Sequence, residues 1–455
     1  MTETTTTTEL PDNLLRWVAA QGQGHVSRLE RHVARREAWI VDIARDDGSM
    51  LKGFLRIDRN PREGSNVSLR REASICRALR PLSIPVPALL AWNEEYHAAL
   101  FSREAGRADI HALDDQQQQR DVMENFIDII ARLHQLEISE LGLDEALGVQ
   151  PDTPARCALD DVNHQLEQFG RFLAHYNDPL ISYGVQWLRR YVPSQVSRVS
   201  LVQGDTGPVN FLFEKNRVTA VVDWEWGHWG DPMEDLGNIC VREFWNPSGG
   251  LQGLFQRYEK ISGIPYHRSA AQYYRVQQNV RGMIPIHVAC QHPPPGQSLA
   301  WYLCYRYVGD RATCEALADA MEIPIERPEL PAEVAPGRFA RVVSGYLQDD
   351  IVPELQGAFA RSRANDTEIL VECMDRVHRY GETLRAIECD EVSLLLERSI
   401  DDYAAAMGQL NAAILSAELD DETLVPYLAR RAYRDEWLYS PVTRLYPDRR
   451  WSVLD

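Results

Sequence analysis

The stretch "SLVQGDTGPVNFLF", residues 200–213, decides how the chain is read. An apolar run ends in Gln203-Gly204-Asp205, and Asn210 opens a second apolar run five positions after Asp205. A lone Asp or Asn at a strand end is ordinarily a turn residue, because its short side chain bonds the local backbone. The following "FEKNRVTAVVDWEW" (213–226) weakens that bland interpretation. It turns at Lys215-Asn216-Arg217 and delivers Asp223 and Glu225 at the end of a further apolar strand. Asp205, Asn210 and Asp223 together, at the mouths of buried strands, are hard to explain as independent turns.

Phosphoryl transfer to a hydroxyl needs such a set. One carboxylate orients the hydroxyl and accepts its proton, and a few oxygen ligands hold Mg²⁺. Asp205 fits the base; Asn210 and Asp223 fit the metal ligands, with Glu225 placed to share the metal. "GDPMEDLGNI" (230–239) then reads as a turn and a helix start, with Pro232 suited to the first helical position. Asp235 falls in that helix's first turn, either as a dipole-favoured carboxylate or as an acid that bonds the backbone of the 203–210 loop.

Upstream, "HVSRLERHV" (25–33), "EAWIVDIAR" (37–45) and "MLKGFLRID" (50–58) read as strands. "SLRREASICRALR" (68–80) has helical period, and "IPVPALLAWN" (84–93) and "HAALFSREAG" (97–106) return to strand. Glu72 lies on the apolar stripe Leu69, Cys76, Leu79 of the helix. A carboxylate on an inward face needs a cation, and Arg56 on the preceding strand is the nearest in sequence. Such a pair holds nucleotide phosphates in phosphoryl-transfer enzymes; a strand-edge arginine beside a surface glutamate is the alternative. Lysine occurs only at 52, 215 and 260, so arginine must do here what lysine commonly does.

The 455 residues carry 44 % hydrophobic and 25 % charged side chains and a net charge of −19. That balance suits a water-soluble multidomain protein and disfavours nucleic acid or an anionic membrane as partner. The eight cysteines are scattered without a CxxC pair, which points to buried thiols in a reducing compartment. "MTETTTTTEL" lacks the apolar core of a signal peptide, so a cytoplasmic location is expected. The element order predicts an α+β, bilobal, kinase-like protein. Its expected parts are a disordered tail (1–13), an antiparallel β lobe (14–105) and a helical catalytic and substrate lobe (106–322). A Pro-rich linker (323–337) and a C-terminal all-α domain (338–455) complete it.

With these residues in place, the chain over about 15–330 resembles the aminoglycoside phosphotransferase and choline-kinase-like superfamily, a branch of the protein-kinase-like fold. The family pattern His-Gly-Asp-x4-Asn, Asp-Trp-Glu, Gly-Asp-Pro-x2-Asp-Leu is matched by Gln203-Gly204-Asp205 to Asn210, by Asp223-Trp224-Glu225, and by Gly230-Asp231-Pro232 to Asp235-Leu236. The resemblance implies an ATP- and Mg²⁺-dependent kinase acting on a small hydroxylated substrate, with GTP left open. Asp205 is then the base, Arg56 stands in for the usual lysine, and Glu72 is its partner. The adenine hinge is implied near Phe101 to Arg103. The phosphate-covering loop falls at 32–36, His32-Val33-Ala34-Arg35-Arg36, which lacks the usual glycines, and Arg35 or Arg36 is the candidate to contact the nucleotide phosphates instead. "VTAVVDWEWGHWGDPMEDL" (218–236) is most similar to the branch related to hydroxyacyl-CoA kinases, which a small helical domain accompanies. An antibiotic alcohol as acceptor and a pseudokinase scaffold are the alternatives. Arg281 and His287 are candidate substrate-side groups, with a structural role as their alternative, and a homo-oligomer stays open.

Overall fold

The structure is a computed structural model that describes residues 10–32, 37–59, 61, 67–176, 178–294, 297–446 and 449–454. The architecture is α+β, a five-stranded antiparallel sheet followed by a mostly helical remainder. It divides into two compact units: Met1–Cys157, Gln195–His267 and Ser452–Asp455 form one, and Ala158–Ser194 with Arg268–Trp451 the other.

The first unit is built on strands β1 (Gly24–His32), β2 (Glu37–Arg45), β3 (Met50–Ile57), β4 (Leu89–Asn93) and β5 (Ala98–Ser102), in the order β1-β2-β3-β5-β4. Alternation does the sorting. Val41 and Ile43 of β2, Leu55 and Ile57 of β3, and Ala98 and Leu100 of β5 are buried. Helix α1 (Asp12–Gly22) covers them with Leu14 and Val18. Helix α2 (Leu69–Leu79) starts at Ser68, whose hydroxyl accepts from Arg71 N at 3.2 Å, a cap worth about 1 kcal/mol. It buries Leu69, Cys76 and Leu79, and Glu72 on the same face. Prolines 85 and 87 keep 84–88 out of the sheet, so β4 begins later than its apolar residues suggest.

Helix α3 (Gln116–His134) leads toward the three short strand pieces that carry the signature residues. These are β6 (Ser200–Val202), the hairpin β7 (Phe211–Glu214) and β8 (Arg217–Val221), and β9 (His228–Gly230), which pairs with β6. Helix α4 (Pro232–Trp245) follows, capped by Asp231, whose carboxylate accepts from Met233 N at 3.0 Å. Most of α4 is buried, from Pro232 through Phe244.

The second unit is helical among its described residues. Its long members are α5 (Arg268–Gln291), α6 (Leu299–Met321), α7 (Ala358–Leu395), α8 (Tyr403–Leu415) and α9 (Asp421–Leu438). Tyr403, Met407, Leu410 and Ile414 share α8, as their spacing predicts. Residues 324–337 have no helix or strand, yet they are tied down: Val334 N donates to Tyr380 Oη at 2.8 Å and Arg376 meets Glu333 at 3.0 Å. No helix among the described residues is long and apolar enough to cross a membrane.

Candidate active site

Asp235 organises the signature loop. It sits in the first turn of α4 with no exposed surface. Its Oδ2 accepts from Gln203 N and from His134 Nε2, each at 3.0 Å, and its Oδ1 accepts from Gly204 N at 3.0 Å and from the Thr206 hydroxyl. Burial pushes such a carboxyl upward, but these hydrogen-bond donors, the His134 ring first among them, outweigh it and hold Asp235 below the ordinary aspartate range. His134 is fixed in turn by Tyr258 Oη at 2.8 Å from Nδ1.

Gln203 works as a bracket. Its Nε2 donates to the carbonyls of Val222 and Asp223 at 3.0 and 2.9 Å, while its Oε1 accepts from Asp205 N at 2.8 Å. One neutral amide therefore ties the Asp205 loop to the strand end that carries Asp223. Asn210 is oriented the same way: its Nδ2 donates to Asp205 O at 2.6 Å, which leaves Oδ1 as an acceptor. The backbone pays a local strain to reach this form. Val209 has φ 72° and Asp223 φ 59°, left-handed values that are unusual for any residue with a side chain and most of all for a β-branched one.

The Arg56 of β3 meets Glu72 of α2, with Nη1 2.7 and 2.5 Å from the two carboxylate oxygens. The same guanidinium lies 3.3 Å from Asp223 Oδ1 and 3.7 Å from Glu225 Oε2. Burial opposes the charge on Arg56, but Glu72, Asp223 and Glu225 together raise its pKa above the ordinary arginine value. Glu72 and Glu225 are buried, whereas the Asp223 side chain keeps 35 % of its surface. One fork thus joins the sheet, the helix and the second carboxylate of the site.

A further residue escapes the sequence motifs. Arg242 of α4 forks onto Asp205, with Nε 2.8 Å from Oδ1 and Nη2 bonded to Oδ2. Its stem passes where Gly207 has φ 138°; a Cβ on that glycine would lie 2.6 Å from Arg242 Cβ. The available signal is spacing. Arg242 stands seven residues after Asp235, two helical turns on, and so on the same face of α4.

The other candidates are placed as follows. Phe101 is buried on β5, opposite Phe54 and Leu89. Arg103 donates its backbone N–H to Lys52 O at 2.9 Å and pairs with Asp42 at 2.8 Å. Arg35 and Arg36 lie outside the described residues. Arg281 and His287 are interior groups of the second unit: Arg281 pairs with Asp161 at 2.8 Å, and His287 stands 3.0 Å from Asp310 and 2.9 Å from Tyr176 Oη. Their alternative, structural role accounts for these contacts.

Comparison with known proteins adds the following. Acyl-CoA dehydrogenase family member 11 of Rattus norvegicus is 26 % identical over 163 residues, 35 % of this chain and 20 % of that protein. The match therefore spans about a fifth of the curated relative's length. Among solved structures, the macrolide 2'-phosphotransferase of Brachybacterium faecium superposes with a TM-score of 0.42 and 20 % identity, over 70 % of this chain and 100 % of that one. A choline/ethanolamine kinase family protein of Mesorhizobium loti does so with 0.46 and 16 %, over 66 % and 89 %. Residues 25–273, more than half of the sequence and inclusive of every strand from β2 to β9, match the APH family, and the chain accordingly belongs to this phosphotransferase enzyme family.

Proposed function

We propose that the protein is a Mg²⁺- and ATP-dependent kinase that transfers the γ-phosphoryl group to the hydroxyl of a small acceptor. The observation that carries this is the single rigid frame formed by Gln203 and Asp235, which holds Asp205, Asn210 and Asp223 together. Asp205 orients the acceptor hydroxyl and takes its proton as the oxygen attacks in line. Arg56, fixed by Glu72, bears on the nucleotide's α- and β-phosphates. Phe101 and Arg103 mark the strand end assigned to the adenine side.

The donor set suits Mg²⁺, a hard cation that takes oxygen ligands and retains water. Asn210 Oδ1, Asp223 and Glu225 are the residues to hold it. Among the described residues no three His, Cys, Asp or Glu side chains form a metal cage; phosphate and water oxygens would complete the shell of a bound Mg²⁺. When bound, Mg²⁺ supplies neutralisation of the charge on the β- and γ-phosphates.

For the acceptor we favour a hydroxyacyl-CoA. Arg242 puts a partly exposed cation beside Asp205, which suits an anionic acceptor. The name of the curated relatives also points to acyl-CoA chemistry. A nucleotide-binding scaffold without transfer is the second reading, favoured by that same fork occupying both oxygens of Asp205.

The test compares wild type with Asp205→Asn in ATP, Mg²⁺ and a panel of short hydroxyacyl-CoAs, aminoglycosides and macrolides. Transfer onto a hydroxyacyl-CoA, lowered about 10²- to 10⁴-fold in the variant, is expected. Equal activity of the two proteins defeats the kinase assignment. Turnover of antibiotics alone defeats the acceptor assignment. Nucleotide binding with no transfer onto any acceptor favours the scaffold.

A further inference from the structure

Helix Arg338–Gly345 and the π-turn Tyr346–Ile351 that continues it form one exposed segment of the second unit. It is anchored, not loose. Gly337 N donates to Asp375 Oδ1 at 3.1 Å, and Ala340 and Leu347 are buried. Its large apolar side chains lie on another face: Phe339 is 75 % exposed, Val342 47 %, Val343 36 % and Tyr346 58 %. Positions 339, 342, 343 and 346 have the three-four-seven spacing of a buried helix stripe. Ile351, 44 % exposed, comes five residues after Tyr346, one step of a π-turn, and extends the stripe. Apolar residues scattered singly need no explanation, but a continuous stripe marks a contact surface.

Charge is ordered along the same segment. Arg338 and Arg341 occupy the first turn, Asp349 and Asp350 the end, and Glu354 follows. All five are exposed, and none has an ion-pair partner among the described residues. This order opposes the helix dipole, which favours anions at the N-terminus and cations at the C-terminus. The charges therefore do not serve the isolated helix. They are self-complementary: turned end for end, the segment sets basic against acidic at both ends.

We propose that this face is the contact between two copies of the chain, packed antiparallel about a twofold axis near Val342–Tyr346. The two stripes close over each other, and Arg338 and Arg341 of each copy meet Asp349 and Asp350 of its mate. The midpoints of the basic and acidic ends are about 15 Å apart at 1.5 Å per residue, and the mate reproduces that separation in reverse. A contact built on one such segment is small, so the association is expected to depend on concentration.

The experiment is sedimentation velocity on the full chain from low to high micromolar concentration. A shift from monomer to dimer is expected. Phe339→Ser with Tyr346→Ser abolishes the shift. Arg338→Glu with Arg341→Glu, and separately Asp349→Arg with Asp350→Arg, each weaken association by about tenfold or more. Mixed in equal amounts, the two charge-reversed proteins recover dimers, because each end again meets its opposite. This mixing arm does not depend on the apolar variant folding, and circular dichroism checks the charge variants themselves. A monomer at every concentration overturns the proposal, as does a dimer indifferent to the substitutions or a mixture that fails to recover. Binding of wild type to anionic vesicles through Phe339 and Tyr346, without self-association, overturns it as well.

Discussion

Both units bury charge, and they do so to opposite ends. Around Asp235 in the first unit, a buried carboxylate collects backbone and side-chain donors, and its pKa is held down. The acids it helps to place, Asp205 and Asp223, stay at a partly open edge. In the second unit the buried groups are spent on one another. Arg281 is paired with Asp161, His287 with Asp310, and Arg434 with Glu388 and Glu391. Asp435, closely packed there though its side chain keeps about a third of its surface, has its pKa pushed up to about 6 by desolvation, despite Arg431. A buried charge marks a working site when its partners fix a frame for other, more open charges. It marks a structural cluster when its partners consume it.

Four substitutions break or sharpen this contrast, in descending order of their effect on stability. Asp235→Ala removes the acceptor of two backbone N–H groups, of His134 and of Thr206, and costs about 3–5 kcal/mol in denaturant unfolding. Asp435→Asn acts through pH. The folded pKa of Asp435, about 6, lies above its ordinary 3.8, so the unfolded chain ionises first as pH rises. Wild-type stability is accordingly lost as pH rises between those two values, by at most about 3 kcal/mol from this group and by less once solvent screening of its exposed third is counted. Thermal unfolding at pH 4 and pH 7 should show the Asn variant losing less than wild type over that window. Gln203→His restores the residue common in the resembling family. An imidazole has two ring nitrogens and cannot keep both carbonyls and the Asp205 N–H, so about 1–2 kcal/mol is lost. Arg242→Ala removes a partly exposed ion pair and moves the unfolding midpoint by less than about 1 kcal/mol. Under the kinase assignment it still lowers kcat roughly ten- to hundredfold, because Asp205 loses its orientation.

The β lobe was legible because alternation in 37–45 and 50–58 has one structural meaning once a sheet buries one face. Asp205, Asn210 and Asp223 were legible because polar residues interrupt apolar strands at their ends. Glu72 and Arg56 were legible as a carboxylate on an apolar helix face near a cation. Arg242 was not: its spacing from Asp235 places it on the loop-facing side of the helix, but nothing local names Asp205, 37 residues back, as its partner. Nor was the work of Gln203, which rests on both ends of one amide. The two-unit division was hidden because 158–194 groups with a segment that begins seventy-odd residues later, and contacts of that range leave no local trace.

The close approach of Gly207 to Arg242 carries a consequence for how such sequences diverge. The 2.6 Å lies between the glycine's absent Cβ and the Cβ of Arg242, an atom that every residue but glycine carries. A chain that gains a side chain at the loop position must move the helix backbone away from the loop or carry glycine seven residues after the helix aspartate; shortening the arginine does not relieve the clash. Glycine at the loop position is thus a mark of how closely the helix approaches the loop, whatever side chain the helix position carries, and alignments of related chains can check that it persists where the arginine does not.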